Sequence, residues 1–322
     1  MKLNMKLMLA LIAFYLCFLL PGASAQEREG NSRGYEIDIL QDTFAINDKD
    51  IDADIDLVFQ GCPRRDCIPS IDQPVFVIAD NVDYLEPDDI ILSVTQSGVT
   101  RGYPSRILDR HEIVNDRFAE IPVAVTYCPL CGSGLAFIRS LDGEDVELGV
   151  SGLLHNNDLI MYDRKTESLW QQITGKAIAG PKRGSVLKSI PLSMSMWADW
   201  KSAHPDAEIL AFPGDPKSYS KVAYGDYASS ERLLFPVSST DARLHVKKLV
   251  YGVEIAAQSI ALESEWLLEE GAWEHEINGQ LVRLEVGDDG AVKGAFDGQP
   301  IVVHRMYWFA WYSFHPDTSL ID

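Results

Sequence analysis

Two cysteines three residues apart, in Cys128-Pro129-Leu130-Cys131-Gly132, have the spacing in this chain best suited to chemistry. A Pro between them and a Gly after them make a tight knuckle that turns both sulfurs toward one centre, an arrangement used to hold soft metals. The same spacing serves thiol–disulfide exchange. A small structural disulfide across the turn is a third reading. The residues that follow bear on the choice. Gly132-Ser133-Gly134 leads into Leu135–Ile138, a turn and then a strand. A thioredoxin-type site would have a helix there, whose N-terminus lowers the first thiol's pKa. Metal binding therefore stands first, with copper or zinc as the ion. A thiol–disulfide oxidoreductase using Cys128 and Cys131 is the alternative, and a non-catalytic binding module with structural disulfides is the third.

Two thiolates do not complete a metal site. His111, in Arg110-His111-Glu112-Ile113-Val114-Asn115-Asp116, is the first further ligand; in the redox reading it tunes the thiolate instead. His155, in Val150-Ser151-Gly152-Leu153-Leu154-His155-Asn156-Asn157-Asp158, is the second. Glu112 and Asn115, from the His111 segment, are pocket candidates, as are His155, Asn156, Asp163 and Arg164, because polar loops that begin soon after a reactive motif commonly shape its pocket. Cys62 and Cys67, in Cys62-Pro-Arg-Arg-Asp-Cys67, read most simply as a local disulfide. The competing reading joins them to Cys128 and Cys131 in a four-cysteine site. His204 and His315 each open a His-Pro-Asp motif behind a tryptophan pair, which reads as helix-ending architecture. No phosphate loop, nucleophile elbow or His-Glu-x-x-His helix appears, so no nucleotide or flavin is expected.

The elements that must position these residues follow from hydrophobic period. Ile90–Val94 and Ile121–Tyr127 read as strands. Ser105–Asn115 has helical spacing with Pro104 at its start, and Met194–Ala203 reads as a second helix stopped by Pro205. Gly149–Tyr162 alternates around Asn156-Asn157, a hairpin-turn signal. Internal similarity adds a larger pattern. Trp197-x-x-Trp200-x3-His204-Pro205-Asp206 recurs as Trp308-x-x-Trp311-x3-His315-Pro316-Asp317, an offset of 111, and Ile90–Val94 faces Leu249–Val253 at an offset of 159. The fold class expected is α+β and strand-rich, an internal duplication of a strand/helix/strand unit with an insertion in the first copy. The divisions are 1–25 signal peptide, 26–60 acidic N-terminal segment, 61–234 first copy carrying the Cys-x-x-Cys site, and 235–322 a degenerate second copy. At the 159 offset Gly287, Gly290 and Glu270 stand in place of Cys128, Cys131 and His111, so the chemistry belongs to the first copy.

The chain has 322 residues, 46% hydrophobic and 24% charged, and can bury a core. Its net charge of −20, from 28 basic and 48 acidic residues, argues against nucleic acid or an anionic membrane surface as partner. Lys2 and Lys6, the uncharged run Leu7–Leu20 and Ala23-Ser24-Ala25 read as a signal peptide cleaved before Gln26. Cleavage removes two lysines, leaving 26 basic residues against 48 acids, or −22. The expected product is soluble, extracytoplasmic (periplasmic or secreted) and without a membrane span, with a metal ion or a thiol partner protein as its partner.

The segments Ile68-Pro69-Ser70-Ile71-Asp72, His111-Glu112-Ile113-Val114-Asn115-Asp116, Pro122–Gly132, Gly149–Leu153, Met161-Tyr162-Asp163-Arg164, Ala179-Gly180-Pro181 and both His-Pro-Asp motifs together resemble domain of unknown function family 3179. The resemblance spans about residues 61–322. It implies an exported bacterial or archaeal protein in which His-Glu-Ile-Val-Asn-Asp and Cys-Pro-Leu-Cys are hallmarks, and it implies no activity. Cys62 and Cys67 depart from the family pattern, which favours a local bridge between them. His155 also departs, which makes it the weaker ligand candidate.

Overall fold

Short β-branched runs separated by turn residues dominate the chain, and in a computed structural model they pair into sheets. The structure describes residues 38–219 and 223–322. The expected signal peptide and the start of the acidic segment lie outside them. The first sheet orders Val58–Gln60, Leu148–His155, Asp158–Asp163, Leu169–Gln171 and Ala177–Ala179. The second orders Lys188–Ile190, Ser133–Ile138, Ile121–Cys128 and Ile113–Phe118. The third runs Ser193–Met196, Ile90–Gln96, Val99–Pro104, Glu208–Leu210 and Phe76–Ile78. The fourth runs His304–Tyr307, Leu249–Ile255, Gln258–Glu263 and Ser319–Ile321, and the fifth Ala272–Ile277, Gln280–Val286, Val292–Phe296 and Gln299–Ile301.

This corrects the expected α+β class. Strand makes up 42% and helix 14%, and the five larger sheets, beside a two-stranded one of Ser140–Leu141 and Glu144–Asp145, form a five-bladed, propeller-like arrangement, not a duplicated strand/helix/strand unit. The physical reason lies in the segments read as helices, which are short caps between strands. Ser105–Asn115 is helical only over Ser105–Leu108, and Ile113 already pairs with Thr126 in the second sheet. The helix read as starting at Met194 begins at Trp197, because Ser193–Met196 pairs with Ile90–Ser93. What the 159 and 111 offsets mark is strand position. In the third sheet a hairpin is flanked by an antiparallel strand, Ser193–Met196, and a parallel one, Glu208–Leu210. In the fourth, His304–Tyr307 and Ser319–Ile321 flank a hairpin in the same way.

Both His-Pro-Asp histidines close the short helix before them, through His204 N–H to Trp200 O and His315 N–H to Trp311 O, each 2.9 Å. The preceding tryptophans, Trp200 and Trp311, are fully buried. Trp311 lies flat on the fourth sheet at Gly252, where a Cβ would stand 2.4 Å from its ring. Within the acidic segment, Leu40, Phe44, Ile46 and Ile51 bury against Leu153, Ile160 and Tyr162 of the first sheet. Residues 38–60 are therefore tied to that sheet by apolar burial as well as by Val58–Gln60. Among the described residues no helix is long and apolar enough to cross a membrane.

Candidate functional site

Cys128 ends the strand Ile121–Cys128, and Ser133, its partner in register, begins the next strand. Residues 129–132 make the intervening knuckle, closed by Cys131 N–H to Cys128 O at 3.2 Å. Gly132 takes φ +62°, and a Cβ there would meet the Tyr307 ring at 3.2 Å, so the position needs glycine on two counts. Tyr307 N–H donates to Cys131 O (2.8 Å) and Tyr227 Oη donates to Leu130 O (3.0 Å), which pins the knuckle from two sides.

The third member comes from the first sheet. Asn156 and Asn157 occupy the two-residue turn of its central hairpin with φ of 53° and 63°, and His155 pairs with Asp158 across it. Paired left-handed residues give the turn whose twist matches the flanking strands. The strand so started places Asp158 against the knuckle. One ligating atom each from Cys128, Cys131 and Asp158 lie within 4.8 Å of one another, and all three residues are buried. Asn157 O accepts from the Cys131 thiol at 3.3 Å and from the Cys128 thiol at 3.8 Å. Asp158 Oδ2 accepts from Gln171 Nε2 (2.6 Å) and Ile173 N–H (3.1 Å), whereas buried Oδ1 has no partner.

Cross-sheet bonds set the register of the two halves. Asn115 Nδ2 donates to Leu148 O (2.8 Å) and its Oδ1 accepts from Leu148 N–H (3.0 Å). Gln172 Nε2 donates to Thr126 Oγ1 and Ser133 O, and Ser133 Oγ donates back to Gln172 Oε1.

The electrostatics are those of acids held in a dry place. Burial pushes the Asp158 carboxyl up to about 7, and burial together with Asp158 and Asp109 pushes Glu112 up to about 8. Burial also raises the Cys128 thiol, and raises Cys131 well above the usual thiol value. Each ionised form would lose water without gaining a cation.

Glu112 and Cys128 line one cavity of about 180 Å³, walled by Cys62, Leu154, Tyr224 and Phe235 among others. The strand Leu148–His155 is bulged between Val150 and Leu153, and Val150, Gly152 and Leu153 at this bulge form part of the wall. A larger groove of about 350 Å³ lies elsewhere, between the third and fifth sheets. Its rim charges are already paired, Arg283 with Glu285 and Lys293 with Asp289.

The other expected site residues fall in several places. His111 does not reach the cysteines. Its Nδ1 lies 2.8 Å from Pro69 O and its Nε2 2.9 Å from Tyr219 Oη, and its ring stacks on Tyr219. The strand after Glu112 starts earlier than a helix would allow, and this turns His111 away. His155 touches the site at one remove, donating from Nδ1 to Gln171 Oε1 at 2.7 Å while Gln171 holds Asp158. Asn156 Oδ1 accepts from Ser238 N–H. Asp163 caps its own turn through Thr166 and Trp170 Nε1, and Arg164 pairs with Asp72 and Asp66. Cys62 and Cys67 form a disulfide, so these sulfurs are not available to a four-cysteine site. The residue that sequence reasoning did not single out is Asp158. Its signal was the hairpin turn before it, which fixes which residue begins the returning strand.

No curated protein and no solved structure matches the chain. A family model does match, over residues 65–293, and the chain belongs to that family, the proteins of unknown function termed DUF3179.

Proposed function

We propose that Cys128, Cys131 and Asp158 bind one soft-to-borderline divalent metal ion in an exported protein. The observation that carries this is the convergence of two buried sulfurs and a carboxylate oxygen of buried Asp158 within 4.8 Å, with Asp158 Oδ1 left without a hydrogen-bond partner. A divalent ion would displace the three protons that burial otherwise retains. With Asp158 in place of His111 the donor set is two thiolates and a hard oxygen. That favours zinc over copper(I), which prefers sulfur and imidazole. Export rests on the Lys2–Ala25 leader, and the Cys62–Cys67 disulfide is compatible with an oxidising compartment.

The second reading, thiol–disulfide exchange, draws on the closeness of the two sulfurs. It is opposed by their burial and raised pKa, which starve the attacking thiolate. Metal analysis of the purified protein separates the two. One zinc per chain, lost in both Cys131→Ser and Asp158→Asn, is expected. A metal-free protein with a reversibly reducible Cys128–Cys131 bond would establish the exchange reading instead.

A further inference from the structure

Both thiols of the cluster hydrogen-bond to one main-chain oxygen. Asn157 O accepts from Cys131 Sγ at 3.3 Å and from Cys128 Sγ at 3.8 Å. Each bond needs its thiol proton. Once a metal ion displaces those protons, the carbonyl lone pairs and two thiolates face one another with no hydrogen between them. A cation in the middle of the group removes that repulsion.

We infer that the main-chain carbonyl of Asn157 is the fourth ligand of the centre, which closes it as a structural clip and leaves no position for a substrate. This rests on the metal reading above. With metal–sulfur and metal–oxygen bonds of about 2.3 and about 2.0 Å, a sulfur and an oxygen on one tetrahedral ion stand about 3.5 Å apart. The two sulfur–oxygen distances here fall on either side of that value. Among the described residues no further histidine, cysteine or carboxylate joins Cys128, Cys131 and Asp158. Those three are 1%, 0% and 0% exposed, as suits a closed structural site more than one that exchanges ligands with solvent. Two thiolates and a carboxylate already outweigh the charge of a divalent ion, so a neutral fourth donor adds no further excess.

The carbonyl is set in place before any ion arrives. Asn157 holds a left-handed turn conformation at φ 63°. Its Nδ2 donates to Tyr227 Oη (2.9 Å), and its Oδ1 accepts from Phe235 N–H (3.1 Å). The side chain thus commits its polar ends to fixing the peptide, and the main-chain oxygen is left aimed at the sulfurs. Beside it, Asn156 Oδ1 accepts from Ser238 N–H at 2.7 Å. An ion held by this turn therefore joins three parts of the chain, the knuckle, the hairpin and the segment 227–238 that the turn anchors.

The test uses the full chain loaded with cobalt(II) and made with asparagine carrying carbon-13 at its main-chain carbonyl. Electron–nuclear double resonance reads which nuclei share electron density with the ion. A through-bond carbon-13 coupling is expected in the wild type. It is expected to vanish in Asn157→Gly, which keeps the left-handed turn, the carbonyl and one cobalt but no longer carries the label there. No coupling from a bound-water deuteron is expected after exchange into deuterated water, and azide is expected to leave the visible spectrum unchanged. A bound-water deuteron or an azide-shifted spectrum overturns the inference by showing an open position, and leaves the metal reading standing. A wild-type carbon-13 coupling that is purely through space, or one that persists in Asn157→Gly, does the same. A wild type that takes up no cobalt overturns both.

Discussion

Asp158 decides what the two cysteines can do. Its Oδ2 accepts from Gln171 and Ile173, and its buried Oδ1 has no hydrogen-bond partner. In the proposed centre Gln171 would orient Asp158 in the way that partners behind ligating groups commonly do. Gln171→Leu is expected to retain the fold and weaken zinc binding about 10- to 100-fold, measured by competition with a chromogenic chelator. The Cys-x-x-Cys pair was legible from residue type and spacing. Asp158 was not, because its partners are brought together by two separate sheets. His111 looked like a ligand because a histidine near a cysteine pair in sequence resembles one. Yet a single turn of helix followed at once by a strand carries its ring to Pro69 and Tyr219.

At the scale of the element, the knuckle and the hairpin are the two devices that bring Cys128, Cys131 and Asp158 together. Gly132 is required by its φ of +62° and by the Tyr307 ring against it. Gly132→Ala is expected to destabilise the protein by about 1–3 kcal/mol, read from chemical denaturation, with zinc affinity falling in parallel. The disulfide Cys62–Cys67 closes a short loop at the cavity wall. Cys62→Ser with Cys67→Ser is expected to cost about 2 kcal/mol while zinc stoichiometry stays the same, which separates this bridge from the metal ligands. The hairpin itself was visible in the sequence, since alternating residues around Asn156-Asn157 specify both strands and turn. The helix over 105–115 was misread because Ile107, Leu108, His111 and Ile113 fit a helical stripe. The pairing of Ile113–Phe118 with Ile121–Cys128 overrides that local preference.

Across the whole molecule, blade architecture depends on pairings that local pattern does not contain. Glu208–Leu210 lies parallel to Val99–Pro104 about a hundred residues away, and Lys188–Ile190 completes the sheet of the knuckle. Residue period finds strands but does not assign them to sheets, which is why the strand-rich character was legible and the five-bladed arrangement was not. The same burial that shapes the blades sets a pH response. Asp158 and Glu112 have pKa values raised in the folded chain to about 7 and about 8. Between their usual values near 4 and those raised values, the unfolded chain has released protons that the folded chain still holds. Stability of the metal-free protein therefore falls as pH rises through that window. His304 and His315 are buried neutral with pKa lowered to about 4, so their contribution is complete above their usual value of 6.5 and is lost as pH falls toward 4. Thermal melts of the metal-free protein are expected to be most stable near about pH 6 and to weaken toward about pH 8. Zinc is expected to lessen the alkaline loss, because it replaces the Asp158 proton and leaves that of Glu112. An alkaline loss that persists unchanged with bound zinc would place the metal away from Asp158.

The most direct test of the central claim is X-ray absorption at the zinc edge of the stoichiometrically loaded protein. Two sulfur neighbours at about 2.3 Å with oxygen neighbours at about 2.0 Å, and loss of one sulfur in Cys131→Ser, is the result expected for a Cys128/Cys131/Asp158 centre. A shell of four sulfurs, a shell with none, or a protein that binds no zinc at all would contradict it.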